Sequence, residues 1–306
     1  MRFSASLDLA PVEELLSSTL ERPVRIIRTG RLSGGDINVA LKLTLDDGSH
    51  VFMKMNEEEN ASFFRAETQG LAAIAGSGAI GTPRVLGRTQ KGGPGGYSCL
   101  LLTFVSEKKR IPGYFETFGR ELAAMHRADT TALVPGGGFG FFCDNYIGAG
   151  VQYNKPHKSW ITFFRDRRLM PQIEATAGYF TAEERKRAVS LLDHIGDFLV
   201  EPERPSLLHG DLWAGNVITG DDGKAWLIDP AVYVGHAEAD LAMTELFGGF
   251  APEFYHAYRE AAPLQPGYEH RRDLYNLYHL LNHLHLFGHA YLPAVKRVME
   301  KYGKMI

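Results

Sequence analysis

Cysteine is scarce in this chain of 306 residues, where Cys99 and Cys143 are the only two. Two thiols in so long a chain build no disulfide framework, so the core must hold the fold, and both are expected to be reduced and buried. Long apolar runs are missing as well. Nowhere do about 18 or more apolar residues follow one another, the length that a membrane-spanning helix requires. Met1 to Leu20 carries one arginine ahead of an interrupted, acid-containing pattern, where an export signal would need a continuous apolar stretch. A soluble, cytoplasmic chain with no membrane partner is the expectation. There is also no excess of basic charge: the formal net charge is −3, and no Lys/Arg run is longer than Lys108-Lys109-Arg110. A stripe able to follow a phosphate backbone is therefore lacking, which argues against nucleic acid as a partner.

What is present is ordinary globular composition, with 44% hydrophobic and 23% charged residues, at a length where one core begins to divide in two. The pattern divides accordingly. Residues 24–32, 38–45 and 51–56 read as strands, with Asp46-Asp47-Gly48 as a hairpin turn between the last two. Residues 57–75 carry Phe63, Phe64, Leu71 and Ile74 at helical spacing. Strand character resumes over 83–89 and 98–105. Beyond it, amphipathic helices are expected over 114–127, 158–170, 181–200, 238–247 and 268–287. This pattern predicts an α+β, two-lobed fold: an N-terminal lobe over 1–105, with an antiparallel sheet and one main helix, and a larger, mostly helical lobe over 106–306.

The chemistry concentrates in Leu208-His209-Gly210-Asp211-Leu212-Trp213-Ala214-Gly215-Asn216 and in Trp226-Leu227-Ile228-Asp229-Pro230. Phosphoryl transfer asks little covalent work of a protein. It needs a carboxylate at the attacking hydroxyl and oxygen ligands for the Mg²⁺ that bridges the phosphates. Asp211, Asn216 and Asp229 supply these in order, with the Asp-to-Asn spacing of a protein-kinase catalytic loop and a downstream Asp at a strand end. Mg²⁺ favours one or two carboxylates plus phosphate and water oxygens, so Asn216 and Asp229 make a sufficient metal set. Upstream, Lys54 on a predicted strand and Glu67 on the helix after it form the pair that holds ATP phosphates in such lobes. Between the first two strands lies Ser33-Gly34-Gly35-Asp36-Ile37-Asn38, whose small residues would let backbone N–H groups reach the phosphates.

The tryptophan inside His-Gly-Asp-Leu-Trp-Ala-Gly-Asn resembles the fructosamine (ketosamine) kinase family. Aminoglycoside and choline kinases share the His-Gly-Asp and the Asn, usually without that Trp. The same family is resembled by the segment around Glu67, Phe139-Gly140 with Asp144-Asn145, residues 152–172 with Trp160 and Arg165, Asp240-Leu241-Ala242-Met243, residues 246–250 and residues 274–288. The resemblance implies a protein-kinase-like fold, ATP and Mg²⁺, and transfer of the γ-phosphate to the sugar 3-hydroxyl of a ketosamine. The product of that family sheds its sugar, so deglycation of an amine or protein is the implied role. Asp211 becomes the proton acceptor, Asn216 and Asp229 the metal ligands, Lys54 and Glu67 the phosphate-holding pair. Gly34, Gly35, Asp36, Ile37 and Asn38 become the phosphate loop, and Thr103-Phe104-Val105 the adenine hinge. Thr103 stands where many relatives carry an acid, and Ala214 where serine is frequent.

His209, Trp213, Trp160 and Arg165 are the candidate acceptor residues. The Trp213 ring suits the apolar face of a sugar, with a core tryptophan locking the loop as the alternative. Arg165, Arg167 and Arg168 would suit an acidic substrate, though arginines on an amphipathic helix more often form a solvated face. His279/His283 and His285/His289 have i,i+4 spacing, but the two pairs are offset by roughly 200° around a helix. That favours structural histidines over one shared metal site. The rival readings are another small-molecule kinase, of aminoglycoside, choline or homoserine type, and a non-catalytic nucleotide-binding module.

Overall fold

The structure is a computed structural model that describes residues 7–32, 38–89 and 96–306. Its first lobe is built on α1 (Ala10–Leu20), β1 (Ile26–Arg31), β2 (Val39–Leu45), β3 (His50–Glu57), α2 (Ala61–Gly76), β4 (Val85–Arg88) and β5 (Tyr97–Thr103). The five strands form one antiparallel sheet in the order β1-β2-β3-β5-β4. The expected three-strand meander opens it, and Asp46-Asp47-Gly48 makes the turn, with the Gly48 N–H donating to Leu45 O at 3.0 Å.

Strand β5 shows why the sheet is covered on both faces. Its alternate residues Cys99 and Leu101 pack with Val12 and Leu16 of α1, while Leu100 and Leu102 pack with Phe64 and Leu71 of α2. Successive strand side chains point to opposite faces, so an uninterrupted apolar strand needs a partner on each. Helix α1 provides the second one and was not expected from the sequence pattern. Its Leu16, wholly buried, stabilises the lobe by roughly 2 kcal/mol.

The second lobe contains α3 (Tyr114–His126), the hairpin β6 (Asn145–Ile147) and β7 (Gly150–Gln152), α4 (Trp160–Phe164), a π-helical turn (Arg165–Leu169), α5 (Met170–Ala175) and α6 (Ala182–Asp193). There follow β8 (Ser206–Leu208), β9 (Val217–Thr219), β10 (Ala225–Leu227), β11 (Tyr233–Gly235), α7 (Ala237–Leu246), α8 (Pro252–Ala261), α9 (Tyr268–Phe287) and α10 (Leu292–Gly303). Helix α6 starts where its sequence predicts, on a Thr181/Glu184 capping box. Helix α9 has the bounds expected of it and buries residues around its whole circumference, Leu274, Tyr275, Leu277 and Tyr278 among them, which places it in the centre of the lobe. Helices α8 and α10 add to the expected set. The stretch 158–170 is not one α-helix, because the π turn interrupts it. No helix among the described residues is long and apolar enough to cross a membrane.

Two short antiparallel pairs, β8 with β11 and β9 with β10, carry the polar motif. Strand β10 is also tied to the first lobe: the Leu227 N–H donates to Gly81 O at 2.8 Å, and Thr82 Oγ1 donates to Leu227 O at 2.8 Å. The Trp226 indole lies flat against Gly81 and Gly220, where a Cβ would stand 2.3 and 2.2 Å from its Nε1.

Candidate active site

Asp211 sits in the loop that leaves β8, and Asp229 stands just beyond β10. Gly210 turns the chain in the left-handed region at φ +82°, and a Cβ there would lie 2.0 Å from Ala231 O. Only glycine fits so tight an approach. Asp229 is itself left-handed, at φ 54°, a conformation that costs an L-residue energy and gathers at functional sites.

On one side of this loop, Lys54 Nζ donates to Glu67 Oε1 at 2.7 Å and also to Asp229 Oδ1. Lys54 is only 7% exposed. Burial works against its charge, but the two carboxylates outweigh that and hold its pKa above the ordinary lysine range. On the other side, Asn216 Nδ2 donates to Asp211 O at 2.8 Å and to Asp211 Oδ2 at 3.1 Å. Burial raises the Asp211 carboxyl to about 7, with the charges of Asp229 and Asp240 adding and the Asn216 hydrogen bond opposing. A carboxylate with a pKa near neutral is suited to taking a proton.

His209 links the two sides. Its Nε2–H donates to Ile228 O at 2.9 Å, the residue before Asp229, while Nδ1 accepts the Asp211 N–H at 3.3 Å. That arrangement requires the neutral ring, in keeping with a pKa lowered by burial. Being wholly buried, His209 does not meet a substrate as expected; it braces the loop.

Behind the loop stands a group that the sequence pattern did not single out as functional. Asp240, in the first turn of α7, accepts the His209 N–H at 2.6 Å and the Gly210 N–H at 2.9 Å. Its Oδ2 also meets His126 Nε2 at 3.2 Å, and His126 Nδ1 meets Tyr258 OH at 2.7 Å. Burial raises the Asp240 carboxyl, but the His126 hydrogen bond and nearby histidines outweigh it, so its pKa falls below the usual range. An Asp so near a helix start was the available signal, masked because helix N-termini favour acids anyway.

Two further expectations are corrected. Trp160 is wholly buried, packed against Phe163, Phe164 and Phe139, with Nε1 donating to Tyr275 OH at 3.3 Å. It is a core residue with no face open to an acceptor. Arg168, far from joining a solvated face, is wholly buried. Its guanidinium stacks 3.9 Å above the Tyr233 ring and donates to Tyr153 O and Asn154 Oδ1. Arg165 pairs with Asp166 at 2.6 Å and stays partly exposed, which suits a solvated face. His279 is buried, and His283 Nδ1 donates to His279 O at 2.8 Å.

Trp213 is 40% exposed, with its ring folded back over Gly215. Asn38 accepts from Asn56 Nδ2 at 2.7 Å; Gly34, Gly35, Asp36 and Ile37 lie outside the described residues. At the end of β5, Thr103 exchanges hydrogen bonds with Arg84: its N–H donates to Arg84 O at 2.9 Å, and its Oγ1 accepts the Arg84 N–H at 3.0 Å. The Phe104 ring faces His50 and the Lys42 ammonium, and Val105 is half-buried.

The chain matches the fructosamine kinase family over residues 9–305. It belongs to that family. A "Probable ketoamine kinase" of Synechocystis sp. is 36% identical, with 95% of each chain covered. The chloroplastic protein-ribulosamine 3-kinase of Arabidopsis thaliana is 35% identical over 99% of this chain and 90% of its own. Among solved structures, a "Putative fructosamine-3-kinase" from Haemophilus somnus aligns with a TM-score of 0.84 at 29% identity, covering 95% of this chain and 96% of that one. An aminoglycoside phosphotransferase in ternary complex with ADP and hygromycin B aligns with a TM-score of 0.61 at 17% identity, covering 95% of this chain and 96% of that one. That last likeness is one of fold: the chain has the two-lobed, kinase-like architecture.

Proposed function

We infer that this fructosamine kinase family member transfers the γ-phosphate of ATP to the 3-hydroxyl of a ketosamine, free or protein-bound, in the cytoplasm, and so initiates deglycation. The observation that carries the reading is the pairing of Asp211 with Asn216 beside the Lys54–Glu67–Asp229 cluster, within a chain of this family. Residues 1–105 serve as the ATP-binding lobe and 106–306 as the catalytic and acceptor lobe.

Asn216 and Asp229 fit a magnesium ion. Asn216 spends its amide nitrogen on Asp211 and leaves an oxygen for a hard cation, and Asp229 adds a partly exposed carboxylate. Mg²⁺ there would neutralise charge on the β- and γ-phosphates. Lys54, steadied by Glu67, holds the phosphates; Gly34, Gly35, Asp36, Ile37 and Asn38 cover them, and Thr103, Phe104 and Val105 receive the adenine. Asp211 accepts the proton of the sugar hydroxyl as its oxygen bonds to the γ-phosphorus and the bond to the β-phosphate oxygen breaks, releasing ADP. Trp213 offers a flat apolar face to the sugar.

The test is ATP consumption with ribulosamines, fructosamines, choline and a kanamycin-type aminoglycoside in parallel, with equal enzyme. Ketosamines are expected to react and the other two not detectably. A preference for choline or kanamycin would overturn the acceptor while leaving Asp211 in its role.

A further inference from the structure

Five aromatic rings run in sequence outward from the catalytic loop. Trp213 stands two residues after Asp211, and its ring meets Phe247, at the end of α7, at 6.4 Å. Phe247 meets His283 of α9 at 5.0 Å. His283 in turn meets Phe287 at 5.5 Å and Tyr291 at 5.0 Å. Trp213, Phe247 and Phe287 are 40%, 37% and 51% exposed. They account for three of the five exposed large aromatic side chains among the described residues, the other two being Phe142 and Tyr153. Such rings are normally covered, and a contiguous exposed set marks a binding surface.

The stripe carries no fixed charge. His283, its one titratable ring of ordinary neutral range, has its pKa lowered by burial and its Nδ1 engaged by His279 O. The nearest acid along α7, Glu245, is already taken by Arg272 and Tyr268. The surface therefore suits methylene or aryl groups and offers no carboxylate to a polycation.

Resting on the ketosamine reading above, we propose that this stripe is the subsite for the amine substituent of the acceptor, taking an alkyl or aryl chain on the ketosamine nitrogen. The continuity is chemical as well as spatial. When the sugar hydroxyl is at Asp211 with the ring of the sugar on Trp213, the C1 nitrogen and whatever it carries must leave the loop, and the exposed rings line a way out. Two sources share that chemistry: a free alkyl or aryl amine, and the four methylenes of a glycated lysine.

The experiment measures KM and kcat on N-alkyl ribulosamines from methyl to hexyl, for the full chain and for the Phe247→Ala/Phe287→Ala double variant. In the unmodified enzyme kcat/KM rises about twofold per added methylene, roughly half the gain of full burial. In the variant the N-hexyl KM rises about tenfold, while the N-methyl constants and the KM for ATP stay unchanged. A flat chain-length series in the unmodified enzyme overturns the proposal, as does an equal KM rise for the N-methyl acceptor, which would make the rings part of the sugar site. Absence of phosphorylation across the whole series, N-methyl included, instead defeats the ketosamine reading and takes the proposal with it. A peptide bearing ribulosyl-lysine separates the sources: a loss in the variant matching N-butyl puts glycated lysine on the stripe, and no loss restricts it to free amines.

Discussion

Asp211 and Asp240 lie on opposite sides of one turn, and the fold treats them oppositely. Behind the turn, Asp240 is closed in by two backbone N–H groups and His126, which in turn meets Tyr258. In front, Asp211 has one amide donor and two neighbouring negative charges. The fully hydrogen-bonded carboxylate is held below its usual range, whereas burial pushes the other up to about 7. A buried charge with a full set of donors is structure, whereas a half-satisfied one is available for chemistry. The satisfied network behind holds the His209–Gly210 backbone that leads into Asp211.

The sharpest way to break the comparison is to neutralise the front alone. Asp211→Asn should lower kcat by about 10³-fold while leaving the KM for ATP within about twofold, because other groups hold the nucleotide. Near-normal turnover in that variant, measured by coupled ADP release, would remove Asp211 from the reaction. Neutralising the back should instead cost stability. Asp240→Ala leaves two buried N–H groups and His126 without an acceptor, and unfolding in urea should register a loss of about 3 kcal/mol. An unfolding curve superimposable on that of the unmodified chain would mean the network is ornamental.

A third measurement sharpens the contrast through pH. Below about pH 4 the Asp211 carboxyl is protonated in both folded and unfolded chains, so it contributes no difference. As pH rises toward about 7, the unfolded chain ionises while the folded one keeps its proton, and burial becomes a growing cost that levels off above that pH. Asp211→Asn should thus stabilise the ligand-free protein by on the order of 2 kcal/mol at about pH 8, and the gain should vanish near about pH 4. A gain that persists at low pH would trace to packing rather than to charge. The smallest effect belongs to Glu67→Gln. With Asp229 still beside Lys54, the KM for ATP should rise about tenfold; an unaltered value would show that Asp229 alone steadies the lysine.

The front of the site was legible in sequence because its members are close in the chain or lie at diagnostic positions: Asp211, Asn216 and Asp229 share one stretch, and the Lys54–Glu67 bond at 2.7 Å links a strand to the next helix. The back was not, since His126, Asp240 and Tyr258 come from three separated helices, and no local pattern declares that they converge. Helix α1 was missed although β5 carried the clue: Cys99 to Leu102 is apolar on both faces, and a two-faced strand demands cover on each. Trp160 and Arg168 misled because residue type suggested ligand contact or solvent, whereas the aromatic shell of the second lobe absorbs both, the guanidinium by stacking on Tyr233.

The fastening of β10 to Gly81 and Thr82 bears on how such a molecule can move. Asp229 belongs by chain order to the helical lobe, yet its strand is pinned to the sheet lobe by two hydrogen bonds, by the indole wedged between Gly81 and Gly220, and by Lys54 itself. Asp229 is tied as firmly to the catalytic loop, by the pairing of β10 with β9 and by the His209–Ile228 and Ile228–Asn216 hydrogen bonds, so any rocking that preserves these links pivots at that seam and keeps Asp229 beside Asp211. What such a motion would vary is the position of the part of the first lobe farthest from the seam, while the spacing of Asp211, Asn216 and Asp229 stays constant.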